Sequence, residues 1–200
     1  MITSVANQKV KQVLAWQTKA KERRKDNLFP VEGLKMFEEA PEESVKEVYI
    51  EETLLEKLEK GSELYKKLER VGFEIVSSEV FKKMSDTQTP QGILAIVERP
   101  KYQFDELLKI EKPLFVILED LQDPGNLGTI VRTGEGAGVS AVIMTKNTVD
   151  IYNPKTIRST MGSIFRVPFL YVDNLQEVLE HLKEKEIRVH SPIENPDLLV

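Results

Sequence analysis

The stretch Asp123-Pro124-Gly125-Asn126-Leu127-Gly128-Thr129-Ile130-Val131-Arg132 decides how this chain is read. It follows the apolar run Phe115-Val116-Ile117-Leu118, a strand by composition. Pro124 fixes φ and Gly125 tolerates conformations that a Cβ forbids, so the chain turns after the strand. Asn126 then caps a helix whose first N–H groups point back at the turn. Arg132 sets a permanent cation nearby. A strand, a turn, a capped helix and an arginine together suit a site that handles a polyanion.

Outward from this stretch, strands and helices alternate. Strand Leu114–Glu119 leads to the helix after Asn126, then to strand Ala141–Met144. A helix from Pro154 to Gly162 has Asn153 as N-cap and Pro154 in the favoured first position. Strand Val167–Val172, helix Leu175–Glu186 behind Asn174, and strand Ile187–His190 follow. Upstream, the periodicity gives an amphipathic helix through Val10, Val13, Leu14 and Trp16, with Trp16 a core or interface residue, and a charged break from Lys21 to Asn27. A helix Val31–Glu39, strand Val45–Ile50, helix Leu54–Arg70, strand Phe73–Val76, a short helix to Met84 and strand Gly92–Val97 complete the first half. The first half reads as an α/β unit of three or four strands, and the more regular alternation of the second half predicts a largely parallel sheet covered on both faces. Glu98 to Tyr102 and Pro113 mark a boundary, which gives units at residues 1–98 and 114–200 joined by a linker at 99–113.

Composition narrows the function. At 40% hydrophobic and 30% charged, the chain has an ordinary globular make-up. No apolar run is long enough to span a bilayer, and the N-terminus lacks the features of a signal peptide, so the cytoplasm is the expected location. Zero cysteines exclude disulfides and thiol nucleophiles, and two histidines are too few for a His-built metal site. No P-loop, dinucleotide fingerprint, G-x-S-x-G or H-E-x-x-H occurs. The net charge is -5, yet residues 1–25 carry seven Lys and Arg against Glu22 alone. Arg23, Arg24 and Lys25 in that arm are candidate RNA-phosphate contacts, the alternative being a solvated helix face. A second cluster, Asn153 to Pro168, sets Lys155, Arg158 and Arg166 among Ser, Thr and Gly. These suit phosphate binding, or else an ordinary crossover helix with a basic side.

The run Asn126-x-Gly128-x-x-x-Arg132, the Lys155-to-Pro168 passage and their order resemble the SpoU family of RNA 2′-O-ribose methyltransferases, within the trefoil-knotted SPOUT superfamily. Phe29-Pro30-Val31-Glu32-Gly33 and Thr89-Pro90-Gln91-Gly92 resemble that family's small substrate-binding domain, which is similar to ribosomal protein L30e. The resemblance implies a small α/β RNA-binding domain followed by a mostly parallel-sheet methyltransferase domain. It implies Asn126, Arg132 and Ser163 as catalytic residues and S-adenosylmethionine as cofactor. Its implied partner is RNA, ribosomal RNA ahead of transfer RNA, and its implied state is a homodimer. It also implies a third motif, a Gly-Asn-Glu-Gly-like turn and a Ser-Leu-Asn run, that forms the knot and most of the cofactor pocket. Neither pattern occurs in the 200 residues. The expectation is therefore a chain whose knot-forming end is missing and whose transfer activity is impaired or absent, and the alternative is a non-catalytic RNA-binding module.

Overall fold

A computed structural model of the protein describes residues 1–190. In the first half, α1 (Gln8–Thr18) and α2 (Ala20–Asp26) precede β1 (Leu28–Glu32), α3 (Leu34–Glu39), β2 (Val45–Glu51), α4 (Glu52–Lys57) and α5 (Glu63–Val71). Then come β3 (Glu74–Val76), α6 (Ser78–Met84) and β4 (Ile93–Glu98). The short α7 (Phe104–Leu107) leads to β5 (Phe115–Leu118), α8 (Pro124–Gly136), β6 (Ala141–Thr145), α9 (Pro154–Thr160), β7 (Phe169–Val172) and α10 (Leu175–Glu184). Among the described residues no helix is long and apolar enough to cross a membrane.

The strands form two sheets. β5, β6 and β7 lie side by side in chain order and all parallel, as the alternating pattern predicts. The first sheet has the order β1-β4-β2-β3, with β4 antiparallel to both β1 and β2 and only β2 and β3 parallel. This half is the α/β unit expected, with four strands. The apolar run Ile93–Val97 is buried on both faces because an apolar cluster covers each side of the sheet, Ile93, Ala95 and Val97 entering one and Leu94 and Ile96 the other.

Four local expectations change. Residues 28–32 form an edge strand rather than the start of a helix. Pro30 lacks an N–H, and an edge is where a strand tolerates it. The charged stretch Lys21–Asn27 is helical, and Asn27 closes α2 in the left-handed region at φ 59°. The helix expected over Leu54–Arg70 is two helices, because Gly61 turns at φ +94° and the Ser62 hydroxyl caps α5. Ile187–His190 is not a strand. Ile187 and Val189 instead pack against the cluster of Ile143, Val178 and Leu182. The expectations drawn on residues 191–200 lie outside the described residues.

One apolar cluster runs through both halves, from Phe29, Val31 and Phe37 to Leu127, Val131, Tyr152 and Ile164. The Phe29 and Tyr152 ring centroids are 4.6 Å apart across that junction. Burying each such side chain contributes about 1.5–3 kcal/mol, so the two halves are held by a shared core. Trp16 is buried in a second cluster, and its Nε1 donates to Asp26 Oδ2 at 2.8 Å, which fastens α1 to α2.

Candidate active site

The helix that carries the opening motif starts three residues earlier than expected. Asp123, not Asn126, is the N-cap: its Oδ1 accepts from the Asn126 backbone N–H at 2.7 Å, and Pro124 takes the first helical position. Asn126 therefore sits inside the first turn. Its exposed side-chain amide makes no hydrogen bond among the described residues and is available to a ligand. Arg132 is also exposed, and no described carboxylate lies within ion-pair reach of it. Six helical positions separate the two, about 9 Å along the axis and about 120° around it. They can reach two parts of one extended ligand, but not one atom.

Gly128 faces the other way. It is buried, and a Cβ there would lie 2.5 Å from Ser159 Cβ and 2.6 Å from the Thr156 carbonyl oxygen. The glycine thus lets α8 and α9 cross in close contact. At the start of α9, Asn153 Oδ1 accepts from the Lys155 N–H at 2.9 Å and Pro154 follows, repeating the construction of α8. The Lys155 ammonium lies 3.8 Å from Asp123 Oδ2, so the two helix entrances are neighbours.

Ser163 is placed elsewhere. It is 1% exposed and its hydroxyl donates to the Glu135 carboxylate on the last turn of α8. Glu135 is nine residues beyond Asn126, about 13 Å along the helix, but only one turn beyond Arg132. The structure brings Ser163 towards the Arg132 end of α8 and away from Asn126. In this arrangement the Ser163 hydroxyl is engaged by Glu135. Glu135 also accepts from Arg166, whose guanidinium reaches Glu39 as well. Gly162 has φ +96°, and a Cβ on it would meet Glu39 Oε2 at 2.5 Å, so this turn needs glycine twice over.

Three of the six arginines and lysines expected to hold RNA are occupied by carboxylates of the opposite half. Arg23 is 4% exposed, donates to the Trp16 and Gln17 carbonyls, and reaches Asp150 Oδ2 at 2.6 Å. These partners hold it inside the fold. Arg158 pairs with Asp86 at 2.8 Å, and Arg166 with Glu39 and Glu135. Arg24, Lys25 and Lys155 remain solvent-facing or only loosely paired. Sequence reasoning missed Glu39 and Glu135. Glu135 carried a signal, since position i+3 from Arg132 on a helix shares its side of the helix. Glu39 carried none, because its partner Arg166 is remote in sequence.

The carboxyl ends of parallel strands are a usual ligand position, and a cavity of about 670 Å³ opens at the ends of β5, β6 and β7. Its walls are polar, with only Leu175 and Leu179 apolar. Asp120, Asn147 and Asp173 would suit hydroxyl or ammonium groups, but a purine needs a flat apolar slot. Among the described residues this cavity does not fit the adenosine of S-adenosylmethionine.

Residues 113–195 match the SpoU rRNA Methylase family, and residues 7–95 match the MRM3-like substrate binding domain. The 23S rRNA (guanosine(2553)-2'-O)-methyltransferase RlmP of Bacillus subtilis is 35% identical over 193 residues, covering 94% of this chain and 71% of that protein. The chain belongs to the SpoU family of rRNA methylases. Among SpoU relatives, mouse mitochondrial rRNA methyltransferase 3 is 42% identical over 120 residues, which are 58% of this chain and 29% of that one. The AdoMet-bound rRNA methyltransferase from Sinorhizobium meliloti superposes with a TM-score of 0.73 at 28% identity, covering 94% of this chain and 69% of that one. The SpoU methyltransferase AviRb from Streptomyces viridochromogenes, in complex with AdoMet, shares the fold with a TM-score of 0.74 at 24% identity, over 90% of this chain and 68% of its own.

Proposed function

We propose that this chain serves the transfer of a methyl group from S-adenosylmethionine to a ribose 2′-hydroxyl of RNA, ribosomal RNA rather than transfer RNA. The observation that carries the reading is the exposed Asn126 amide and the exposed Arg132 guanidinium, which has no carboxylate partner among the described residues, on α8 inside the SpoU-matched segment. The cofactor, when bound, supplies an electrophilic methyl on a sulfonium that leaves readily. The protein then has to align the hydroxyl and manage its proton. Arg132 is no general base, since a guanidinium keeps its proton in proteins. Its task is to grip the phosphate beside the ribose and to stabilise the alkoxide charge that develops, the proton leaving to phosphate or water. Asn126, one and a half turns away, orients the ribose or the neighbouring nucleotide. Ser163 and Glu135 hold the turn after α9 against α8. Arg24 and Lys25 on the amino-terminal arm add phosphate contacts from the substrate-binding half.

The same reading places the protein in the cytoplasm with its RNA and expects a homodimer, as the family resemblance implies. Incubation with labelled S-adenosylmethionine and ribosomal RNA, followed by digestion to nucleosides, tests it: a 2′-O-methylated nucleoside supports it. A second reading, an RNA-binding module without transfer, rests on the exposed Arg24 and Lys25 of the amino-terminal arm. Salt-sensitive RNA binding together with no methylated nucleoside would select that one.

A further inference from the structure

The junction between the two halves holds a second cavity, of about 330 Å³, that the reaction described above does not use. Phe29, Tyr102 and Phe165 contribute aromatic walls, Arg99 a guanidinium, and Glu43 and Glu98 the rim. The Phe29 and Phe165 ring centroids are 6.4 Å apart, and Tyr102 meets Phe169 edge-on at 5.6 Å. The Arg99 guanidinium carbon lies over the Tyr152 ring, 4.4 Å from its centroid. Its Nε is buried and has no hydrogen-bond partner among the described residues. Phe165 belongs to the same short 3-10 turn as Ser163, and Pro41 and Ser44 on the opposite wall follow Glu39 closely. The segments that clasp Ser163, Glu135, Arg166 and Glu39 are therefore the segments that wall the cavity.

We propose that this cavity takes one unstacked nucleobase of the bound RNA. The identity of the nucleic acid rests on the proposed function; the preference for a base rests on the cavity itself. Sequence-tolerant RNA recognition splays a base out and stacks it on aromatic rings or on an arginine plane, and both surfaces are present here. Glu98 is paired with Lys46 at 2.6 Å, and the exposed Glu43 carboxylate at the rim repels a phosphate but accepts N–H groups from the edge of a base. Of the parts of an RNA, the base is the one that fits.

The probe is a short single-stranded RNA carrying 2-aminopurine, whose emission drops when it stacks, titrated into the full chain over a salt series. The native chain binds with a saturable loss of emission. Phe165→Leu removes a stacking ring and Ser44→Phe fills the space without thinning the core. Each raises Kd about 5- to 100-fold while the slope of log K against log salt stays at the native value. Arg24→Ala, a phosphate-type change, lowers that slope by about one instead. Circular dichroism confirms that each variant is folded. Native binding without loss of emission, or both variants within about twofold of the native Kd, overturns the proposal. Methyl transfer measured on the same proteins separates it from the enzyme reading. Stacking without transfer defeats the enzyme and leaves the base site, whereas transfer with indifferent variants defeats the base site alone.

Discussion

The guanidinium of Arg23 donates to Asp150 Oδ2 at 2.6 Å across the two halves of the chain, with Arg23 4% exposed. Asp150 lies three residues before Asn153, the cap of α9, so the pair ties the amino-terminal arm to the helix that Gly128 contacts. Removing one partner of a buried pair strands the other. Arg23→Met should cost about 3 kcal/mol in urea unfolding, against less than about 0.5 kcal/mol for Arg24→Ala next to it. Equal effects of the two changes would show that Arg23 is a surface residue.

Gly128→Ala tests the crossing of α8 and α9. The added methyl meets backbone as well as side chain, so relief requires the helices to separate. A loss of about 2–3 kcal/mol is expected from thermal unfolding, although alanine is the better helix former by about 1 kcal/mol. A variant as stable as the native chain would refute the close crossing.

Gly162→Ala places a Cβ both at φ +96° and against the Glu39 carboxylate. Left-handed strain alone costs about 1–2 kcal/mol. The combination with Glu39→Ala should recover part of the loss, read in a double-mutant cycle as a combined loss smaller than the sum of the two single losses. Simple additivity would mean that the carboxylate is not the obstacle.

High pH should weaken the fold. Burial pushes the Tyr152 hydroxyl up to about 12, and burial with a hydrogen bond to Glu47 raises Tyr49 as well. The unfolded chain releases these protons near pH 10, the folded chain only above it. The folded state then holds more protons, so stability is complete below about pH 10 and falls as pH rises towards 12. Tyr152→Phe should flatten that fall in urea midpoints measured across the range. An unchanged slope would place the loss on other groups.

The second half was legible because each of its signals is local. β5 and β6 are short apolar runs bounded by turn residues, and the Asn153-Pro154 pair announces α9. Choosing the cap of α8 failed by three residues because Asp123 and Asn126 are both capping types and only the geometry selects between them. β1 was hidden by Pro30, which reads as a helix start until the strand is known to lie at an edge. Among the site residues, Asn126 and Arg132 stood in a motif. The roles of Arg23, Arg158 and Arg166 depend on Asp150, Asp86 and Glu39, each far away in sequence, and no spacing rule links such pairs.

The central claim is that α8 presents Arg132 to the phosphate and ribose of an RNA acceptor. The direct measurement is methyl transfer from labelled S-adenosylmethionine to ribosomal RNA, resolved as 2′-O-methylated nucleoside, for the native chain and for folded Arg132→Ala. The account predicts product from the native chain and a fall of about a hundredfold or more in kcat for the variant. A folded Arg132→Ala protein that keeps the native kcat would contradict it.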